Sequence, residues 1–469
     1  IREDSKNKKP ENIKVIDPAM GSGHILVYAF DVLLQIYESY GYSQRDAAKN
    51  IIEKNLYGLD IDNRAYQLAY FAVMMKARQY NRRILNGETI CHLYAIQESN
   101  DIDKNQLKYF GVGLSDLEKN SALLQIQELL DTFIDAKEFG SILNSGTYNW
   151  DLLKKFINCL DSGGQMSVET IGIENTSNHL KLLIKTSEVL FNSYDVVITN
   201  PPYMSSSGMS NTLFKYVKNN FASAKSDLFA VFIKKCGELC KINGFYSLIT
   251  QHSWMFLSDY TKLRSEIGEK ILINMAHLGT RAFDEISGEI VQTTAFTMRN
   301  NSQKNYNGTY LRLVDENSES LKQNLFLSGK NRYYSKFIDY AIIPGSPIVY
   351  WASRAILKNF KEGRPMNSLI SPRQGLATTD NKKFLRLWYE VSLKRINFDI
   401  KSISEAAITE IKWVPYNKGG SRRQWYGNYD YVVDWSNNGK EIKENVMNKY
   451  TYPELFISFL YKCGAPHSI

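Results

Sequence analysis

The sequence predicts an α/β fold: a Rossmann-like, doubly wound, mostly parallel sheet, followed by a mixed α/β domain. Three observations predict it. Short apolar runs alternate with longer stretches of helical apolar spacing, the first run ends in a glycine turn that opens a helix, and the 469 residues exceed what one core usually serves. Strands that alternate with crossover helices pair in parallel, and ligands of such sheets lie beyond the carboxyl ends of the strands.

Residues 12–17 (NIKVID) read as a buried strand running into AMGSG, and residues 25–40 then carry apolar positions at helical spacing. A helix over 43–54 leads to the strand 56–60 (LYGLD), which a third helix over 64–83 follows. Residues 92–97, 194–199 (YDVVIT), 245–250, 271–278 and 291–298 are further strands, with a helix over 227–241. Residues 101–190 hold one clear helical pattern, 117–134, and a polar Gly/Ser/Asn stretch; they read as a mainly helical insertion. Beyond residue 300 the turns multiply (PGSP, GRP, SPRQG, NKGGS), which puts the predicted domain boundary near residue 301: 1–300, then 301–469.

A hydrophobic fraction of 43% with 23% charged residues excludes general disorder. No apolar run approaches the roughly 18 residues of a membrane span, and no secretory segment opens the chain, so a cytoplasmic protein without a membrane partner is expected. Five scattered cysteines suit neither a disulfide framework nor a zinc set; Cys236 and Cys240 read as core thiols, and no structural metal is expected. Charge divides unevenly. Residues 301–469 carry a net +10 and residues 1–300 a net −2, compatible with a polyanion-binding part or with a merely basic surface.

In VIDPAMGSGHIL, Gly21 and Gly23 lack the Cβ that would obstruct close approach to the helix N-terminus that follows. Taken alone, the glycines are better explained by a plain tight turn, until the next strand is considered. It ends at Asp60, where a carboxylate can accept both hydroxyls of a ribose. The interval from Asp17 to Asp60 is 43 residues and no third glycine follows at GxGxxG spacing, which disfavours a dinucleotide. An adenosine without a pyrophosphate, as in S-adenosylmethionine, fits better.

The strand 194–199 runs into Asn-Pro-Pro-Tyr. Two prolines end the ladder and stiffen the turn, so the Asn200 side chain and the Pro201 carbonyl are held as a rigid acceptor pair. Accepting both hydrogens of an exocyclic base amine would turn its lone pair toward an electrophilic methyl, a reaction that needs orientation more than a strong base. Tyr203 offers a ring face to an extruded base. A buried turn without chemistry is the bland alternative.

In this order, DPAMGSG, GLDID and NPPY resemble the amino-group DNA methyltransferases of the N6-adenine class. NLYGLDIDNRAYQLAYFAVMMKAR, AIQESN, SDLFAVFIKKC, ITQHSWMFLSDYTKLR, GEIVQTTAF, PRQGLATTDNKKFLRLW and KWVPYNKGGSRRQWYGN are similar to the PglX family, adenine methyltransferases of the BREX phage-exclusion systems, from about residue 13 to about residue 443. The resemblance implies an S-adenosylmethionine-dependent methyltransferase domain, then a target-recognition domain. It implies a cofactor site of Asp17, Ala19, Gly21, Gly23, Asp60, Ile61, Glu98 and Asn100, and a catalytic loop of Asn200, Pro201, Pro202 and Tyr203. Phe296 is a candidate second wall for the base or a strand core residue; Asp227 a helix cap or a pocket residue; His252 a cleft residue or a hydrogen-bonded structural one. The chain starts at Ile1, shortly before its first strand, so it reads as an excerpt lacking the family's N-terminal region, and SFLYKCGAPHSI departs from the expected end.

Residues 412–431 interleave Lys412, Lys418, Arg422 and Arg423 with Trp413, Tyr416, Trp425, Tyr426 and Tyr429, and Arg373 and Gln374 add a guanidinium and an amide able to read bases. An aromatic β core with solvated charges is the alternative. Double-stranded DNA is the expected partner, with other BREX proteins implied by the resemblance. The rival readings are the modification part of a restriction-modification enzyme, a methyltransferase for RNA or protein glutamine, and an inactive recognition scaffold.

Overall fold

The computed structural model describes residues 8–158, 172–283, 291–303, 305–369, 376, 378–400, 405, 408, 410–418 and 430–449. It divides into two compact units, residues 1–362 and 363–469.

The first unit is built on a nine-stranded sheet in the order β3-β2-β1-β4-β5-β7-β6-β8-β9. The strands are β1 (Val15–Asp17), β2 (Leu56–Asp60), β3 (His92–Ala95), β4 (Tyr194–Thr199), β5 (Cys240–Gln251), β6 (Ile271–Gly279), β7 (Thr293–Arg299), β8 (Asn307–Arg312) and β9 (Arg332–Lys336). The first five pair in parallel, and β7 runs antiparallel between β5 and β6. This is a mixed α/β architecture on a large, mostly parallel sheet, as the sequence predicts. The strand order reverses between β1 and β4, and that reversal opens a crevice at their carboxyl ends.

Side-chain alternation distributes the strands between two cores. Val15, Leu56 and Leu93 face α1 (His24–Ser39), α2 (Gln44–Asn50) and α3 (Asn63–Tyr80), whereas Ile16, Tyr57, Leu59, Tyr194 and Val197 face the larger core on the other side. The predicted helix over 43–54 ends early as an α-helix and finishes as a π-helical turn, Ile51–Asn55, feeding straight into β2.

The insertion is mainly helical as expected, but it is no satellite. Its helix α4 (Asp116–Thr132) starts with a capping box between Ser115 and Glu118 and buries Ala122, Ile126, Leu129 and Leu130, one stripe of a 3.6-residue repeat. These pack in the same core as β4, at about 1.5–3 kcal/mol per large apolar side chain. Helices α5 (Trp150–Asn158) and α6 (Ile173–Phe191) complete it, and α6 is the crossover that enters β4. Helix α7 (Asn211–Asn220) and helix α8 (Leu228–Leu239) follow the NPPY turn.

The expected boundary near residue 301 is corrected to 362/363. Past residue 301 the chain re-enters the sheet: β8 pairs in parallel with β6, and β9 adds the edge. The buried Lys322 of α9 (Glu319–Ser328) ties this segment down by donating to the carbonyls of Leu278, Leu313 and Glu316 at 2.7, 2.8 and 2.6 Å. The multiplied turns are therefore links within the first unit as well as beyond it.

The second unit holds an antiparallel sheet in the order β10-β12-β11, with β10 (Leu385–Leu387), β11 (Trp413–Tyr416) and β12 (Tyr431–Asp434), and a helical segment Ser436–Lys449 kinked at Asn437–Gly439. Pro415 sits on the edge strand, where its missing N–H costs no ladder bond. Phe384, Leu385, Ile400, Val414, Val433, Trp435 and Ile442 form its core.

Candidate active site at the strand tips

Parallel register fixes where the singled-out residues stand. Asp17 lies opposite Gly58 on β2, and Ile16 lies opposite Val197 on β4. Asp60 and Asn200 are therefore each two residues beyond the level of Asp17, on the strands flanking it. With strands about 4.8 Å apart, they stand on either side of one crevice roughly 10 Å wide.

The glycine turn is held from both sides. Asp17 Oδ1 accepts from the Ala19 N–H at 3.0 Å, Asp60 Oδ2 accepts from the Gly21 N–H at 2.8 Å, and Asp60 Oδ1 from the Asp62 N–H at 2.9 Å. Gly23 has φ +84°, and a Cβ there would come within 2.9 Å of Ala69 Cα on α3. Gly21, at φ +52°, has nothing within 4 Å of its Cβ position, so the turn presents bare backbone to an open space. Ile61 beyond it is 52% exposed, an apolar surface at the tip of β2. An open space at Gly21, a carboxylate with one donor on each oxygen and an uncovered apolar side chain fit a nucleoside with an attached small chain.

Asp17 is buried, and that burial pushes its carboxyl up to about 7, with the charge of Asp60 adding to the shift and the Thr199 hydroxyl and Ala19 N–H opposing it. Because the folded value exceeds the unfolded one, folding retains a proton that the unfolded chain releases. The stabilising contribution is complete below about pH 4 and is lost as pH rises toward 7. Thermal melts of Asp17→Asn against the parent are therefore expected to diverge in the variant's favour by a few kcal/mol between about pH 4 and 7. A pH-independent difference would contradict this state of Asp17.

Asn200 is exposed at the end of β4 and Pro201 is buried beneath it. The half-buried Tyr203 donates to the Ile249 carbonyl of β5 at 3.2 Å, with its hydroxyl 3.5 Å from Asn200 Oδ1, and its ring meets Phe229 edge-on at 6.0 Å. Burial pushes the Tyr203 phenol up to about 12, so it stays a neutral donor. Asp227 is both cap and loop anchor: its Oδ1 accepts from Phe229 N–H in the first turn of α8 at 3.2 Å and from Met204 N–H at 3.0 Å. The residue after the NPPY turn is thereby tied to α8.

Other expected residues fall differently. Glu98 accepts from the Lys137 N–H at 3.2 Å, and both ends of the Asn100 amide are engaged by Asp135, at 2.7 and 2.9 Å. Phe296 is 2% exposed and packs on Trp254, ring centres 5.0 Å apart; it is a core residue of β7, not an open stacking wall. His252 is structural, its Nδ1 2.8 Å from His277 Nε2. Cys236 and Cys240 are buried core residues. Lys412 is paired with Asp434 at 2.7 Å and lies over the Trp413 ring, whereas Lys418 lies 4.4 Å over the Tyr431 ring. Arg373, Gln374, Arg422 and Arg423 lie outside the described residues. The segment Asp135–Asn144 and the buried Lys235, all close to this site, were not foreseen; a lysine inside the apolar run LFAVFIKKC was the available signal.

A cavity of about 390 Å³ lined by Arg264, Lys270, Tyr310 and Phe337 lies at the amino end of β6, the opposite edge of the sheet from these tips. Among the described residues no helix is long and apolar enough to cross a membrane.

Residues 54–283 match the family model described as Eco57I restriction-modification methylase. The chain is 42% identical over 457 residues to the adenine-specific methyltransferase PglX of Lacticaseibacillus casei, covering 96% of this chain and 37% of that protein. It is 39% identical over 460 residues to the adenine-specific methyltransferase BrxX of Escherichia coli, covering 94% of this chain and again 37% of the relative. The chain thus spans little more than a third of either relative. Among solved structures, the Type IIL restriction-modification enzyme MmeI in complex with DNA covers 98% of this chain and 53% of its own, with TM-score 0.47 and 13% identity.

Proposed function

We propose that this chain belongs with the adenine-specific methyltransferases PglX and BrxX, to which it is 42% and 39% identical, and that it carries the transfer of a methyl group from S-adenosylmethionine to the N6 amine of an adenine turned out of duplex DNA. One observation carries the proposal: Asp60 and Asn200 stand at equal height on the two strands flanking β1, at the switch point of the sheet.

In this reading Asp60 receives the ribose hydroxyls, Ile61 lies against the adenine of the cofactor, and the bare backbone at Gly21 makes room for its methionine part. S-adenosylmethionine, when bound, supplies the electrophilic methyl. Asn200 Oδ1 and the Pro201 carbonyl accept the two amine hydrogens of the target, which turns the nitrogen lone pair out of conjugation and toward the crevice. Tyr203 bounds the base, its hydroxyl fixed by Ile249, so the ring presents a constant surface. As the new N–C bond forms, the methyl's C–S bond would break with its electron pair left on sulfur as a neutral thioether, and the amine would give up one proton to water, so orientation does most of the work. The second unit would supply target recognition, and host marking in BREX-type phage defence is the cellular role proposed for the whole protein.

The test is to incubate the full-length protein with isotopically labelled cofactor and host DNA, then sequence for N6-methyladenine. Label at adenine N6 in one sequence context is expected. DNA binding without transfer would overturn the catalytic reading in favour of a recognition scaffold. Affinity for DNA is expected to fall steeply with salt, by roughly 10³ or more from 50 to 200 mM for six or more phosphate contacts. A salt-insensitive affinity would contradict a phosphate-tracking surface.

A further inference from the structure

The segment Asp135–Asn144, deep in the helical insertion, makes contacts just beyond the tips of β1, β2 and β3 and with the helix that follows the NPPY turn. At β1 the buried Ser141 hydroxyl donates to the Pro18 carbonyl of the glycine turn. At β2 a Cβ on Gly140 would lie 2.8 Å from Ile61 Cγ2, and Gly140 sits at φ 60°, ψ −144°, a conformation for glycine only. At β3 the Lys137 N–H donates to Glu98 and Asp135 pairs with Asn100. Past β4, Glu138 accepts from Ser210 at 2.7 Å, the Asn144 N–H donates to Tyr216 Oη at 3.0 Å, and Phe139 packs on the Tyr216 ring at 4.5 Å.

The far end of the segment is held by a buried cation. Lys235 of α8 is 4% exposed, and its Nζ donates to the Leu143 carbonyl at 2.9 Å and to Asn144 Oδ1 at 2.8 Å. Burying an ammonium is costly and is offset here only by carbonyl acceptors. The same helix begins at Asp227, which anchors the NPPY turn. One rigid helix therefore holds the catalytic loop at its first turn and this segment two turns later.

We propose that Asp135–Asn144 is the outer wall of the cofactor site and that Ser141 and Lys235 are positioning residues, fixing that wall against the glycine turn and against α8. The inference rests on the reading of Asp60 and Ile61 as the cofactor side of the crevice and deepens it: the wall closes the side of Ile61 that β2 leaves open. Gly140 lacks a side chain because any Cβ would push the wall off Ile61.

The test uses the full-length protein with Ser141→Ala and Lys235→Met, the latter keeping most of the apolar stem without the ammonium donors, and Lys235→Arg as the conservative variant. Calorimetric titration with S-adenosylmethionine, steady-state kinetics and thermal unfolding are read together. The wall predicts cofactor Kd and KM raised about threefold to tenfold by Ser141→Ala, with kcat nearly unchanged. For Lys235→Met it predicts a larger rise in cofactor Kd, partly rescued in Lys235→Arg. A lowered Tm with unchanged Kd and KM in both variants would mean the contacts only stabilise the fold, overturning the wall. If the parent protein itself binds no S-adenosylmethionine, the cofactor reading fails, whatever the variants do.

Discussion

Asn200→Ala is expected to slow methyl transfer by about 10² to 10³, with cofactor affinity within about twofold of the parent. The amine of adenine is a weak nucleophile because its lone pair is shared with the ring, and the geometry that releases it requires two acceptors on its hydrogens. Asn200 is exposed and belongs to no core, so deleting its amide leaves packing intact. Asp227 and the Ile249 carbonyl would continue to hold the loop through Met204 and Tyr203, so the variant separates loss of an acceptor from loss of loop shape. Single-turnover rates with the cofactor saturating give the measurement. Full activity would remove Asn200 from the chemistry.

Asp60→Ala is expected to weaken S-adenosylmethionine binding by about 10² or more. Two hydrogen bonds from hydroxyls to a carboxylate are each worth about 1.5–3 kcal/mol. The same carboxylate also accepts from Gly21 and Asp62, so its removal loosens the glycine turn as well as the ribose site. Asp60→Asn keeps one acceptor and the shape of the turn's anchor, and should fall between the two. Calorimetric titration of the three proteins, each shown by thermal melting to be folded, tests this order. Equal affinity in all three would place the ribose elsewhere.

These two residues were legible because both end short apolar runs whose limits the sequence marks unambiguously: LYGLD stops at Asp60 and YDVVIT at the prolines after Asn200. A parallel sheet then aligns strand ends without further information. The same locality explains the failures. Phe296 reads as a wall only if its strand lies next to the crevice, but β7 lies beyond β5 and turns the ring into the core. Lys412 reads as a lone cation until the strand pairing brings Asp434 opposite Trp413. The contacts of Ser141 and Lys235 join residues 123 and 92 positions apart, and nothing in the local pattern of either predicts them. The turn-rich composition after residue 300 could not reveal that β8 and β9 return to the first sheet, since edge strands carry little apolar signal of their own: β9 reads RYYSK.

The most direct test of the shared crevice is a structure of the full-length protein with a non-transferable cofactor analogue and its target duplex. The account predicts the analogue's ribose on the Asp60 carboxylate and an extruded adenine whose N6 lies within hydrogen-bond distance of both Asn200 Oδ1 and the Pro201 carbonyl. An analogue bound away from Asp60, or a base amine held by neither acceptor, would contradict it.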